Sequence, residues 1–342
     1  MPPLISVCIP VFNTEKFLAQ CLRSVINQDF EDFEIVIVND KSTGKDADGH
    51  SCKKIVKLIQ KEAKKQRKAA HLPLIKINYI EHSANRGLLE TRRDMCFIAQ
   101  GTYLTQLDSD DVMAPGALCA MYKAALENDA DIVQGATVAG HFDSDQKFIP
   151  SPVNKLSSAY YDVLTGREIF KHWFMDVDLT GVIWGKLVKR ELYLKAFEHI
   201  PYTYCNMMDD FLVFFYLCPY LNKYSGIKDT VVFYRDNTGM SSGRKIETIA
   251  QWKNTLTTAS VFAIISQEVQ TSDSEYKLTE KEMEQLRFHM MVHVQGHLGI
   301  YKKNMAEEIK PAALELLCDY WGKDFIEEVA AANGLSLLPE GK

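Results

Sequence analysis

The sequence is poor in the features that mark several common protein classes. Its eight cysteines, at 8, 21, 52, 96, 119, 205, 218 and 318, include no CxxC pair. Several sit inside apolar runs, as buried thiols do, so a reducing compartment is expected rather than a disulfide framework. No stretch reaches the roughly 18 uninterrupted apolar residues of a spanning helix, and the first residues show neither a basic n-region nor a long apolar h-region. The expected location is therefore cytoplasmic, at most peripheral at the inner face of the cell membrane. A dominant charge is lacking too: 39 Lys and Arg against 45 Asp and Glu leave a formal net charge of −6. That balance gives no global attraction to nucleic acid or to anionic lipid, although Lys53 to Lys68 form a local basic run. Finally, no GxGxxG or GxxxxGK[ST] follows an apolar run, which argues against a dinucleotide Rossmann site and a P-loop.

What is present suits a globular enzyme. With 342 residues, 46% hydrophobic and 25% charged, the chain can bury a full core in one large domain plus a smaller appendage. Short β-rich runs alternate with helical patterns over the first 136 residues, the mark of a mainly parallel sheet covered by helices. The runs predict strands at 4–9, 34–38, 75–80, 103–107 and 131–135. Between the first two, Asn13 is placed to cap a helix whose Phe17, Leu18, Cys21, Leu22 and Val25 repeat at helical spacing. Residues 41–72 read as a polar loop and a Lys-rich helix with only a short apolar face of Ile55, Val56, Leu58 and Ile59, so most of the segment is expected to be solvated. Thr165 with Glu168 and Thr279 with Glu282 have capping-box spacing and predict helix starts near 166 and 280. No strand pattern appears after about residue 245, so a helical extension is expected there.

The most informative segment is Tyr103 to Asp111, an apolar strand ending in Asp108, Asp110 and Asp111 around Ser109. Carboxylates crowded at the C-terminal end of a parallel strand repel unless a cation or donors compensate them, and open α/β sheets bind ligands at that edge. Mg²⁺ or Mn²⁺ takes one or two carboxylates and completes its shell with phosphate oxygens and water. An acidic turn whose Asp caps the next helix is the simpler alternative. The exits of the first strand, Pro10-Val11-Phe12-Asn13-Thr14, and of the second, Val38-Asn39-Asp40-Lys41-Ser42-Thr43, put small polar groups at the same edge. Each alone also reads as a turn.

In order and spacing, Ile5 to Asn13, Val38 to Thr43, Asn85-Arg86-Gly87 with Arg92, and Leu107 to Asp111 resemble the signature of family 2 glycosyltransferases of the GT-A fold. The resemblance spans residues 4–125. It implies an α/β fold with a mainly parallel central sheet and a metal-assisted, inverting transfer from a UDP-sugar. It divides the chain into a catalytic domain at 1–244, with a nucleotide-sugar half at 1–125 and an acceptor half at 126–244, followed by a helical extension at 245–342. Residue by residue it implies that Pro10, Phe12 and Asn13 line the nucleoside pocket, with Phe12 where the family usually has Tyr. Asp40 then matches the acid that reads a uracil ring, while Asn85, Gly87 and Arg92 match the segment beside the base and diphosphate. Asp110 is implied as the metal ligand and Asp108 as the donor contact, with shared coordination around Ser109. Lys41 replaces the usual Gly of the turn after Asp40, where a non-Gly residue resists positive φ, and Arg93 replaces the Asn that commonly follows the Arg.

A looser resemblance lies downstream. Trp184-Gly185-Lys186-Leu187 resembles a segment before the acceptor half, Asp209-Asp210 resembles the family's ED pair, and Tyr234-Arg235 with Ser241-Ser242 resembles a closing segment over the donor phosphates. Asp210 is the implied catalytic base; the alternative is that Asp209 and Asp210 only cap the apolar helix 211–218. Trp184 reads equally as core, Lys186 equally as an exposed, unpartnered lysine, and Tyr160, Tyr161, Trp173 and Phe174 as core rather than sugar-stacking groups. His289, His293 and His297 share a helix face but have no accompanying acid or Cys, so a packed histidine row is expected rather than zinc. The implied partners are a UDP-sugar and a glycan or lipid-linked saccharide acceptor, without nucleic acid. The apolar C-terminal helices, with Phe262, Ile264, Ile265, Val269 and Met290 to Leu298, are expected to pack on the catalytic domain, to form a homodimer, or to make a peripheral membrane contact. The reading from another class is a catalytically silent GT-A-like scaffold, which four separated acids (Asp40, Asp108, Asp110 and Asp210) speak against.

Overall fold

The computed structural model describes residues 2–152, 159–236, 238, 245–271 and 275–334. Two compact units divide the chain, one of Met1–Thr203 with Val213–Gly239 and one of Tyr204–Leu212 with Met240–Lys342. The expected boundary lay at residue 244; in the structure Tyr204–Leu212, placed by the sequence in the acceptor half, joins the second unit.

In the first unit ten strands form one sheet: β1 Ile5–Val11, β2 Phe33–Asn39, β3 Lys76–Glu81, β4 Tyr103–Gln106, β5 Val112–Met113, β6 Ile132–Phe142, β7 Phe148–Pro150, β8 Val163–Thr165, β9 Lys186–Lys189 and β10 Lys223–Arg235. Along the main path their order is β3-β2-β1-β4-β9-β6-β10-β5. The pairs β3-β2, β2-β1, β1-β4 and β6-β10 are parallel, and β9 runs antiparallel between β4 and β6. Every residue of β1 and β2 is buried, as expected for strands covered on both faces. The helices are α1 Glu15–Ile26, α2 Cys52–Ala69, α3 Leu88–Ile98, α4 Ala117–Glu127, the single turn α5 Arg167–Phe170, and α6 Arg190–His199. Leu18, Cys21, Leu22 and Val25 of α1 point into the core beside Ile55, Val56 and Ile59 of α2, each set repeating near the helical period.

The polar positions depart from expectation in instructive ways. Asn13 does not cap α1: Thr14 holds that position without a side-chain bond. Asn13 instead adopts φ 58°, a conformation Asn tolerates better than most residues. The Thr165–Glu168 pair forms half a box, with Glu168 accepting from the Thr165 N–H and hydroxyl, but Thr165 ends β8 and Gly166 precedes α5. Trp173 and Phe174 are core, whereas Tyr161 is 43% exposed.

Helix α7, Asp209–Leu217, is divided by the unit boundary. The second unit continues with α8 Ile249–Leu256, α9 Thr258–Gln270, α10 Glu280–Lys303, α11 Lys310–Trp321 and α12 Lys323–Ala332. The Thr279–Glu282 capping box opens α10 as its spacing predicted. Phe262, Ile265, Val294 and Leu298 are fully buried, with Phe262 against the rings of Phe211, His293 and Trp321. Phe288 and Val292 of α10 remain exposed, at 55 and 46%.

The histidine row is part of that core. Trp321 Nε1–H donates to His297 Nδ1 at 3.2 Å, and the His297 ring also bonds the Thr255 backbone, which fixes one neutral tautomer. Among the described residues none of the three histidines belongs to a group of three potential metal ligands. Burial, with a neighbouring histidine second, holds the pKa of His293 and of His297 down to about 4. In the unfolded chain these rings titrate near 6.5, so their neutral packing is fully stabilising above that pH and is lost as pH falls toward 4. Acidifying from about 7 to about 5 should cost on the order of 1–2 kcal/mol per ring. Melting followed by tryptophan fluorescence should show the drop, with a shallower pH slope for His297→Gln; equal slopes would contradict the assignment.

Candidate active site

The parallel register gathers the chemistry at one sheet edge. Cys8 pairs with Gln106 and Val11 with Asn39, and the ladder continues one residue past the strands through Asp40 N–H to Val11 O, His82 N–H to Asn39 O and Leu107 N–H to Cys8 O. Asp40, His82 and the 108–111 acids therefore emerge at the same end, where an open sheet of this kind binds ligands.

The first two strand exits lock together. Thr43 and Gly44 N–H groups donate to Asn13 Oδ1, both at 3.1 Å, Asn13 N–H donates to Ser42 Oγ at 2.8 Å, and the Ser42 hydroxyl donates to buried Glu15 at 2.5 Å. A Cβ on Gly44 would lie 1.9 Å from Glu15 Oε2, so a larger residue there would displace the Glu15 carboxylate. Lys41 has φ 61°, the conformation its replacement of Gly made unfavourable. Phe12, 45% exposed, stands at the rim beside Pro10.

Asp40, which the resemblance sets against a uracil ring, is 3% exposed at this edge. Its carboxylate accepts from Arg86 N–H at 2.8 Å, Gly87 N–H at 2.9 Å and His82 Nδ1 at 2.7 Å. It acts as the hub of the Asn85-Arg86-Gly87 loop, and Asn85 Nδ2 bonds the Asp40 carbonyl at 3.3 Å. Gly87 has φ 88° and ψ 164°, a region essentially reserved for glycine. His82 Nε2 meets Asp94 at 2.9 Å, and Arg86 also reaches Asp94 at 2.5 Å. His82 and Asp94 escaped the sequence reading because nothing in their spacing pairs them with Asp40.

The acids of the β4 exit are each held separately. Arg92, which the resemblance sets beside the diphosphate, donates from Nη2 to Asp108 Oδ1 at 2.9 Å. Ser109 Oγ and Thr14 Oγ1 lie 2.6 Å apart. Thr238 hydroxyl donates to Asp110 Oδ2 at 2.8 Å. Arg235, at the end of β10, donates from Nε to the Asp110 carbonyl and from its backbone N–H to Asp111 Oδ1, each at 2.8 Å. Its guanidinium lies 4.5 Å from both the Phe17 and Phe142 rings. Burial first, and Asp108 next, raises the Asp110 carboxyl above the ordinary range; burial followed by Asp110 and Asp108 raises Asp111 well above it. Asp111 Oδ2 is buried with no hydrogen-bond partner among the described residues.

The looser candidates fall elsewhere. Trp184 stacks on Tyr234 with centroids 5.5 Å apart. Lys186 is neither exposed nor available to phosphate: it is fully buried, and its Nζ donates to the Thr180 and Val182 carbonyls at 2.8 and 2.5 Å over the Phe214 ring. Arg93, buried, pairs with Glu90 at 2.9 Å and bonds the Ile200 carbonyl at 2.9 Å. Asp209 and Asp210 form the first turn of α7 rather than preceding it. Asp209 is buried, and Asp210 Oδ1 accepts from Phe211 N–H at 2.8 Å. Asn206 ties this segment to α8 through Asn254 at 2.6 Å. Ser241 and Ser242 lie outside the described residues. The one trio of potential metal ligands within 4.8 Å among the described residues is Asp46, Asp48 and His50, where Asp46 closes a turn onto the Asp48 and His50 amides.

The mixed α/β sheet, with an acidic turn at the C-terminal ends of its parallel strands, is that of the GT-A fold. Comparison specifies it: the profile of Glycosyl transferase family 2 matches residues 6–183, and the chain belongs to that family. Glycosyltransferase GlyA of Streptococcus pneumoniae is 31% identical over 194 residues, which make up 55% of this chain and 25% of GlyA. Glycosyltransferase GlyG of the same species is 26% identical over 246 residues, 70% of this chain and 73% of GlyG. The match thus spans a quarter of one relative and about three-quarters of the other. Among solved structures, S. aureus TarS 1–349 in complex with UDP-GlcNAc has the same fold, with a TM-score of 0.52 at 17% identity over 98% of this chain and 93% of TarS 1–349.

The Asp40 hub generates a direct test. In Asp40→Asn the new amide turns an N–H₂ toward the Arg86 and Gly87 amides or leaves one of them unpaired, a cost of about 2–3 kcal/mol. Denaturant unfolding should show that loss; a change under about 0.5 kcal/mol would remove Asp40 from the centre of the loop.

Proposed function

We propose that this enzyme is an inverting glycosyltransferase that moves a sugar from a UDP-sugar to a hydroxyl of a glycan or lipid-linked saccharide, in the synthesis of a bacterial surface polysaccharide. The observation that carries the reading is the strand end itself, where Asp108 is clamped by Arg92 and Asp110 is largely buried among like charges. Such an arrangement is costly unless a cation completes it. The residues fit Mn²⁺ or Mg²⁺: Asp110, with Asp108, would hold the ion. When bound, it would neutralise charge on the departing diphosphate. Pro10, Phe12 and Asn13 line the nucleoside side, with the loop that Asp40 fixes through Gly87 opposite. The uridine assignment rests on the family resemblance and on the UDP-GlcNAc held by TarS, which shares the fold.

Asp210 is the proposed base. The acceptor oxygen forms the new bond to the anomeric carbon as the bond to the diphosphate oxygen breaks, UDP leaves, and the acceptor proton passes to the Asp210 carboxylate. A helix N-terminus favours negative charge at that position. One face of the sugar is attacked while the other is left, so the configuration inverts.

Two variants test the assignment. Asp110→Asn should abolish UDP release while leaving the melting temperature near that of the unmodified protein, and full turnover in excess chelator would remove the metal. Asp210→Asn should lower transfer by ~10²–10⁴-fold with UDP-sugar affinity nearly unchanged. Asn serves a helix start about as well as Asp, so near-normal turnover would make Asp210 structural.

A further inference from the structure

Helix α2 carries a surface that the transfer reading does not use. Its buried face is Cys52, Ile55, Val56, Ile59, Ala63 and Arg67. At 3.6 residues per turn, Lys53, Lys54, Lys57, Lys61, Lys64, Lys65 and Lys68 all fall within an arc of about 120° centred opposite that face. Every residue in the arc is lysine and every one is exposed. The bordering acid, Glu62, is taken up by Arg23 at 3.1 Å, and among the described residues no carboxylate lies within ion-pair distance of the seven.

Ordinary solvated helices do not look like this. Lys53–Lys57, Lys57–Lys61, Lys61–Lys65 and Lys64–Lys68 are like-charge i,i+4 pairs, each destabilising. Lys53 and Lys54 also sit in the first turn, which has no acidic residue, against the helix dipole. All of this occurs in a chain whose net charge is −6. Lys68, in the last turn, suits the dipole, but a helix that retains the repulsion along its other turns presents a site for an anionic partner.

We propose that the lysine face of α2 docks the enzyme onto an anionic lipid bilayer. Charge complementarity defines the sign of the partner, and exposed leucines favour a bilayer over a soluble polyanion. Leu58 borders the lysines, and the loop leaving the helix adds Leu72 and Leu74, respectively 40, 36 and 56% exposed. Apolar side chains beside lysines gain by entering the headgroup boundary while the long lysine stems carry their charges to the phosphates. A strip of 18 residues, roughly 27 Å long, spans several headgroups, and attraction falls off within about 8–10 Å at cellular salt. The facing surface therefore decides, and the acidic remainder of the chain does not cancel it. The inference goes beyond the proposed transfer and stands whatever the acceptor is.

The full chain should co-float with phosphatidylcholine vesicles containing phosphatidylglycerol, and not with phosphatidylcholine alone, and high salt should release it. The triple variant Lys57→Gln, Lys61→Gln, Lys64→Gln removes three contacts and should weaken partitioning by roughly a hundred-fold, with circular dichroism and melting unchanged because these side chains touch nothing inside. Leu72→Ser with Leu74→Ser should weaken binding in vesicles without changing its salt dependence. Equal binding to the two vesicle types, or undiminished binding by the triple variant, would overturn the proposal. So would tight, lysine-dependent binding of soluble polyphosphate without any binding to vesicles, which would assign the face to a free polyanion.

Discussion

Three carboxylates within four residues, one of them buried and two half-buried, repel one another, and much of the polar architecture of the first unit answers that repulsion. Each acid is restrained by a different element: Asp108 by Arg92 on α3, Asp110 by Thr238, and Asp111 by the backbone of Arg235 at the end of β10. The Arg235 guanidinium, held between Phe17 and Phe142 and bonded to Gln20 at 2.5 Å, cannot turn away. Distant segments are thereby tied to one turn, and residual charge remains to be met from outside. An enzyme that must bind diphosphate has reason to leave it so, because groups aimed at developing charge need no reorganisation when it appears.

The edge itself follows from parallel pairing. Parallel strands deliver their C-terminal ends to one side, and the ladder runs past them to Asp40, His82 and Leu107. From there the loops are built by local exchanges between strand exits. Asn13 gives its side-chain oxygen to the second exit rather than to α1, and Ser42 returns a hydrogen bond to Glu15 at the first. Lys41 tolerates φ 61° within this turn, a cost of order 1–2 kcal/mol that the surrounding bonds offset.

Strand positions were legible because β1, β2 and β4 are short apolar runs, the last two with acids close behind them, a local pattern. The Asp108–Asp111 cluster was legible for the same reason. Roles set by long-range contacts were not. That Asp40 is the hub of its loop emerges only when His82 and the Arg86 and Gly87 amides meet it, over 40 residues away. Lys186 looked solvent-facing, but two carbonyls, of Thr180 and Val182, can absorb its ammonium in the interior. The C-terminal helices looked undercovered because periodicity counts apolar residues without showing which helices share them.

Helix α2 shows the converse case, where the sequence displayed a feature whose meaning depends on structure. A lysine run is unremarkable while its burial pattern is unknown, since long charged side chains readily surround a helix. Once Cys52, Ile55, Val56, Ile59, Ala63 and Arg67 define the inner face, the lysines resolve into one uninterrupted outer strip with its only neighbouring acid turned aside to Arg23. Elsewhere in this unit charge is compensated locally: Lys189 lies 2.7 Å from Asp131, and buried Arg93 lies 2.9 Å from Glu90. Beside these locally compensated pairs, the uncompensated strip reads as a surface kept for a partner.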